Sequence, residues 1–202
     1  MKIAIVDYGM GNIRSICSTL NYLGVGEVVL TSDFEELNTS DKIILPGVGS
    51  FGEAIRKINE KNIDTILKKI VLNDKKPILG ICLGMQLLCN TSTEDGFNKG
   101  LSFINAEVNK FDTLGLKIPH IGFNQVKKCE KSILLNNLDL VSDFYFVHSY
   151  QVTSNDKIHQ SLCTYGKKFI ASFEFENIFG TQFHPELSQS NGLKLLKNFI
   201  DH

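Results

Sequence analysis

Cys82 stands between two glycines in Gly80-Ile81-Cys82-Leu83-Gly84, where the apolar run Ile78–Ile81 gives way to a helical pattern. A side chain at the apex of a strand-to-helix turn is pushed out of the backbone in a strained conformation, so its neighbours at i−2 and i+2 must be small. The G-x-C-x-G spacing is the thiol counterpart of a nucleophile elbow, in which the N–H of the next residue, Leu83, points toward a developing oxyanion. The helix behind it would set its positive end beneath the sulfur and favour thiolate. A buried cysteine at a packing turn fits the same five residues, so the stretch needs partners. Gln182-Phe183-His184-Pro185-Glu186 supplies them, with an imidazole and a carboxylate two residues apart. A cysteine nucleophile needs an imidazole to take its proton and return it to a leaving amine, and the imidazole needs a carboxylate to fix its tautomer. Cys82, His184 and Glu186 are therefore the candidate nucleophile, base and orienting acid. The glycine-rich Pro46-Gly47-Val48-Gly49 loop lacks the Gly-Lys-Ser/Thr ending of a nucleotide-binding P-loop. The N–H groups of Gly47, Val48 and Gly49 suit instead the second half of an oxyanion hole, opposite Leu83.

The elements that must position these residues follow from hydrophobic period. Lys2–Val6, Val28–Leu30 and Lys42–Leu45 read as short strands and Ile78–Ile81 as a buried one, and a helical face carries Ile13, Ile16, Leu20 and Leu23. A second helix is predicted from Glu53 to Leu72. Gly9-x-Gly11 does not complete a dinucleotide fingerprint, because Arg14 stands where the third glycine would be. Thr91–Gly100 reads as a polar loop. Beyond it the chain turns β-rich, with strand-like runs at Leu101–Ile104, Ala106–Phe111, Phe144–Val152, Phe169–Phe175 and Ile178–Phe183, and a closing helix from about Ser188. His120 and His148 fall in this half and read as structural histidines. In an open parallel sheet the carboxyl ends of neighbouring strands meet at one edge, so Cys82, the glycine loop and His184 can converge. The expectation is one α/β domain over residues 1–202: a mostly parallel central sheet flanked by helices, with an added antiparallel portion.

Composition narrows the function classes. A net charge of −1 over 202 residues leaves no electrostatic footprint for nucleic acid. No apolar run is long enough to cross a bilayer, and the run after Met1 is too short for a signal peptide, so a cytoplasmic protein without a membrane partner is expected. The five cysteines, at 17, 82, 89, 129 and 163, form no C-x-x-C pair and sit beside no histidine ligand pattern. Neither a metal site nor a disulfide framework is expected, and no cofactor is implied.

Gly80-Ile81-Cys82-Leu83-Gly84-Met85-Gln86, the Pro46–Gly49 loop and Phe183-His184-Pro185-Glu186 together resemble the class I, triad-type glutamine amidotransferases. Asp7-Tyr8-Gly9-Met10-Gly11-Asn12, Pro119-His120-Ile121-Gly122-Phe123-Asn124 and Phe144-Tyr145-Phe146-Val147-His148-Ser149-Tyr150 resemble, more narrowly, the branch formed by the glutaminase subunits of imidazole glycerol phosphate synthases. The match runs nearly end to end. It implies a flavodoxin-like fold, glutamine as substrate held by Gln86, Ser149, Tyr150 and the glycine loop, and, as heterodimer partner, a (β/α)8-barrel cyclase subunit. The ammonia would then yield imidazole glycerol phosphate and an aminoimidazole carboxamide ribotide. Asn12, Phe123 and Leu187 are the implied partner-facing residues. Two of them depart from the family pattern, which generally has tryptophan at the place of Phe123 and lysine at the place of Leu187. Members of this branch also feed ammonia to enzymes that amidinate surface sugars. The remaining alternatives are a stand-alone hydrolase of γ-glutamyl bonds and a non-catalytic binding subunit, the last disfavoured because no triad member is missing.

Overall fold

The computed structural model describes residues 1–111 and 115–202. Alternation along β1 (Lys2–Val6) divides its apolar run between two cores, Ile3 and Ile5 on one side and Ala4 and Val6 on the other. A strand apolar on both faces requires cover on both. α1 (Ile13–Tyr22) supplies it on the first side through Ile16 and Leu20. After β2 (Glu27–Thr31), α2 (Phe34–Thr39) begins where the Asp33 side chain accepts the Glu36 N–H at 3.0 Å, and it buries Leu37 on the second side. β3 (Lys42–Leu45) repeats the division, with Ile43 and Leu45 facing one core and Ile44 the other.

The run from Glu53 to Leu72 is not one helix. α3 (Phe51–Glu60), started by Ser50 accepting from the Glu53 N–H, ends before Asn62, which sits in the left-handed region at φ 55. α4 (Ile63–Leu67) follows and widens into a π-helical turn over Lys68–Asn73. Periodicity conceals the break because Ile58, Ile63, Leu67, Ile70 and Val71 keep facing the same core across it. β4 (Ile78–Ile81) then leads into the short α5 (Leu83–Leu87).

The stretch predicted as a polar loop holds a small hairpin, β5 (Thr91–Ser92) and β6 (Asn98–Lys99). Leu101–Ile104 is not a strand. Its N–H groups turn back on the end of α5, Leu101 donating to the Leu87 carbonyl and Phe103 and Ile104 to that of Leu88. They thus satisfy carbonyls that a helix C-terminus leaves without partners. β7 (Glu107–Lys110) and β8 (His120–Lys127) come next. The long run Phe144–Val152 breaks at Ser149 into β9 (Val141–His148) and β10 (Tyr150–Thr153), which enter different sheets. β11 (His159–Tyr165), β12 (Lys167–Phe175) and β13 (Ile178–Thr181) precede a 3-10 turn at Pro185–Leu187 and α6 (Gln189–Asp201).

The large sheet has the order β2-β1-β3-β4-β13-β12-β11-β8-β9. Its first five strands are parallel, in the order of a flavodoxin-like sheet, and the other four extend it antiparallel. A second sheet runs β10-β7-β5-β6. α1 and α6 pack on one face of the parallel part and α3, α4 and α5 on the other, as the buried side chains of each core show. Among the described residues no helix is long and apolar enough to cross a membrane.

Candidate active site

The carboxyl ends of β4 and β13 lie side by side, with Gly180 opposite Gly80 and Thr181 opposite Ile81. Cys82 follows β4 at φ 53, ψ −109, a backbone that L side chains rarely adopt. Such a conformation costs about 1–3 kcal/mol and persists only where surroundings impose it. Here the Cys82 N–H is bound to the Thr181 carbonyl at 2.7 Å. The flanking glycines are required by close approach: a Cβ on Gly84 would lie 1.8 Å from the Leu45 oxygen, and one on Gly80 would lie 2.7 Å from the Gly84 carbonyl. The elbow is therefore pressed against the end of β3.

His184 leaves β13 two residues before Glu186. Its N–H donates to the Tyr145 carbonyl at 2.9 Å, and the Ser188 hydroxyl donates to its carbonyl at 2.6 Å, which fixes the main chain. The ring is fixed by Nδ1, 2.9 Å from Glu186 Oε1, and Asn12 Nδ2 donates to the same oxygen at 3.3 Å. A carboxylate can only accept, so Nδ1 carries a proton. Nε2 is buried without a hydrogen-bond partner among the described residues. Burial by itself lowers the His184 pKa, but interaction with the Cys82 sulfur and the Glu186 carboxylate outweighs it and raises the value to about 10. Those two neighbours thus favour the cationic form of the ring.

Cys82, Leu83 and His184 open onto a cavity of about 370 Å³, with Val48 and Gly49 on one side and Ser149 and Tyr150 on another. Leu83 is the first residue of α5, so its N–H has no acceptor within the helix. Gly49 holds φ +105 at the cavity wall. Gly47 does not line the cavity; it packs under the elbow, where a Cβ would come within 2.8 Å of Gly84 N and Leu83 Cβ. The buried Tyr8 hydroxyl donates to the Pro46 carbonyl at 2.6 Å and ties the loop to β1. Gln86 Nε2 donates to the Tyr150 carbonyl at 3.2 Å and to Gln182 Oε1 at 3.0 Å, leaving Oε1 as the atom it can offer a ligand.

Known proteins settle the family. Residues 4–202 match the model of the family described as glutamine amidotransferase class-I. The chain belongs to the class-I glutamine amidotransferases. It is 46% identical over 199 residues to the imidazole glycerol phosphate synthase subunit HisH 1 of Campylobacter jejuni strain RM1221, spanning 98% of each chain. It is 47% identical over 200 residues to HisH 2 of Methanococcus maripaludis, again over 98% of each. To HisH of Aquifex aeolicus it is 42% identical over 200 residues, 98% of this chain and 96% of the other. Of solved structures, one described as a glutamine amidotransferase superposes with a TM-score of 0.77 at 18% identity, covering 98% of this chain and 97% of that one. PurLQS from Thermotoga maritima does so with a TM-score of 0.75 at 20% identity, covering 99% and 97%. These two likenesses concern the fold.

In this amidotransferase the structure also brings to the cavity, or directly behind its lining, two residues to which the motifs assign no role. Glu94, on the turn after β5, lines it with a carboxylate that accepts the Phe51 N–H at 2.8 Å and whose pKa is raised by burial. Gln182 is fully buried between Gln86 and Cys82, its Nε2 3.9 Å from the sulfur. Gln182 had a signal, since it lies two residues before His184, and side chains two apart on an extended chain share a face. Glu94 had none, because it sits among polar residues without a period. Of the expected partner-facing residues, Phe123 is 50% exposed with its ring against Tyr145, Leu187 is 40% exposed, and Asn12 reaches inward to Glu186. Among the described residues no group of three or more His, Cys, Asp or Glu side chains converges to hold a metal ion.

Proposed function

We propose that this chain is the glutaminase subunit of an imidazole glycerol phosphate synthase, with Cys82, His184 and Glu186 as its triad. The observation that carries the chemistry is the meeting, at one cavity, of a strained cysteine and an imidazole whose outer nitrogen is paired to a carboxylate and whose inner nitrogen is unpaired. Identity of 42–47% to HisH chains over nearly their full length supports the pathway. Glutamine enters with its side-chain amide at Cys82 and its α-ammonium toward Glu94, while Gln86, Ser149 and Tyr150 hold the rest. The sulfur attacks the amide carbon, and the N–H groups of Leu83 and of the Val48–Gly49 segment receive the oxyanion. His184 Nε2 gives its proton to the departing nitrogen, ammonia leaves, and a glutamyl thioester remains. Water then attacks with the now neutral His184 taking its proton, the thiolate leaves, and glutamate is released with the imidazolium and sulfur restored.

The ammonia acceptor is a reaction of the partner. Ile121 and Phe123 on β8 pair with Val147 and Tyr145 on β9, and the outer face they share is apolar and exposed at Ile121, Phe123 and Val147. That face, with Leu187 nearby, is the proposed seat of a (β/α)8-barrel cyclase. Contact there would bias the peptide at Val48–Gly49, and gain of one oxyanion donor is worth roughly a thousandfold in rate, about 4 kcal/mol. Phe123 and Leu187, where the family generally has tryptophan and lysine, favour a second reading in which the same glutaminase serves a partner that amidinates a sugar. The test is glutamate release by the chain alone, with the cyclase subunit, and with cyclase plus phosphoribosyl acceptor, together with formation of imidazole glycerol phosphate. Release switched on by the cyclase and coupled to product supports the first reading. Release that the cyclase leaves unchanged contradicts it.

A further inference from the structure

His120 and His148 lie side by side behind the Ser149–Tyr150 wall of the cavity, paired across β8 and β9. Both are buried, and His148 reaches the cavity itself. His120 Nδ1 is 3.1 Å from His148 Nε2, and His148 Nδ1 is 2.8 Å from the Tyr150 carbonyl. At the other end, His120 Nε2 is 3.2 Å from Asn124 Nδ2.

Two backbone groups fix the direction of this row independently. Asn124 Nδ2 also donates to the Thr164 carbonyl at 3.1 Å, and Asn124 Oδ1 accepts the Gln125 N–H at 2.8 Å, so the amide presents a donor to His120. His120 Nε2 must then accept, which puts the His120 proton on Nδ1. That proton points at His148 Nε2, which must accept in turn, leaving the His148 proton on Nδ1 facing the Tyr150 carbonyl. Two neutral imidazoles fit between a fixed donor and a fixed acceptor in this one way. A proton on either remaining nitrogen would set donor against donor.

We propose that His120 and His148 are positioning residues: a neutral, one-directional hydrogen-bond relay from Asn124 that sets the Tyr150 carbonyl, and through it Gln86, in the substrate pocket. The proposal rests on the glutamine reading of that pocket. Tyr150 O is the shared point, accepting from His148 Nδ1 on one side and Gln86 Nε2 on the other. Gln86 passes the constraint to Gln182, which lies against the Cys82 sulfur. The surroundings suit a neutral pair. His120 stacks on Tyr165 with centroids 4.1 Å apart and on Phe146 at 4.9 Å, and His148 packs against Phe111 at 5.0 Å and Phe169 at 5.2 Å. Burial pushes their pKa values down, to about 4 for His120 and about 3 for His148, where it outweighs the opposing hydrogen bond to the Tyr150 carbonyl and the charge of His184 adds to it.

The test combines imidazole nitrogen NMR at pH 7 with glutamine kinetics of the partner complex. In the wild-type chain both rings should be neutral and protonated at Nδ1. Asn124→Asp, which replaces the donor with an acceptor of equal size, and His120→Phe, which keeps the stacking, should each raise KM for glutamine about tenfold, the scale of one net hydrogen bond. kcat should stay within about threefold, the pattern expected when substrate positioning rather than chemistry is lost. A doubly protonated ring or an Nε2–H tautomer in the wild type would overturn the relay. So would an unchanged KM in both variants, even with a lowered melting temperature, because that is what packing alone predicts. Loss of turnover in Cys82→Ala alongside such an unchanged KM would leave the glutaminase reading standing and sink the relay alone.

Discussion

Around the cavity, His184 on one side and the pair His120 and His148 behind the Ser149–Tyr150 wall are buried histidines of two opposite kinds. His184 is raised to about 10, whereas His120 and His148 are lowered to about 4 and about 3. Desolvation penalises the cation in all three; what differs is the charge of the neighbours. His184 meets the Glu186 carboxylate at 2.9 Å and the Cys82 sulfur, so its proton is held where a leaving amine would need it. His120 meets an amide donor, another imidazole and aromatic rings, so nothing there supports a charge. Burial of a histidine therefore does not reveal its role until the charge of its partners is known.

The largest effect is expected from removing the sulfur that faces His184. Cys82→Ala should abolish glutamine hydrolysis, a loss of at least about a thousandfold, while ammonia-dependent synthesis by the complex survives. The same variant should lower the His184 pKa, read by imidazole NMR, and leave His120 and His148 neutral. The next largest effect falls on the proton carrier. His184→Asn should cost about 10³-fold to 10⁴-fold in kcat and Glu186→Gln about 10²-fold, since the base acts in both half-reactions and the carboxylate orients it. Single-turnover acylation measures both, and equal losses would contradict the division of roles.

The smallest effect is on stability, and there the two kinds of histidine pull in opposite directions. The His184 pKa is raised from 6.5 to about 10, so its contribution is fully present below 6.5 and is lost as pH rises through about 10. The pKa values of His120 and His148 are lowered from 6.5, so their contribution is present above 6.5 and is lost as pH falls toward about 4 and about 3. Each histidine can change the slope by at most about 1.4 kcal/mol per pH unit. Denaturant unfolding from pH 4 to 10 should show Glu186→Gln flattening the alkaline side and His120→Phe the acid side. Parallel profiles for wild type and both variants would contradict the assignment.

The parallel half was legible because each of its strands is a short apolar run, and the elbow because its glycines answer a steric need local to five residues. His184-Pro185-Glu186 was legible as chemistry, and its meeting with Cys82 followed from one rule of parallel sheets. The antiparallel half was legible in part: an antiparallel addition and strands within Phe144–Val152 and Phe169–Phe175 are found as expected, whereas its other members and its pairing have no local signature. β11 carries alternate polar residues that resemble a loop, and the apolar Leu101–Ile104 spends its N–H groups on the end of α5. The break at Ser149 is invisible in an unbroken β-prone run, yet it turns Tyr150 into the second sheet and shapes the pocket wall. His120 and His148 read as structural, and their place behind that wall depends on a strand pairing that no local pattern encodes.

Of the five cysteines, Cys82 is the proposed nucleophile. Burial pushes Cys89 and Cys17 up and Cys163 up to about 12, whereas Cys82 opens onto the cavity beside His184. Treatment of the partner complex with a glutamine analogue bearing a diazo-ketone, followed by peptide mapping, tests this directly. One adduct per chain is expected, on Cys82, formed in step with loss of glutaminase activity. An adduct on Cys17, Cys89, Cys129 or Cys163 that accompanies that loss would contradict it.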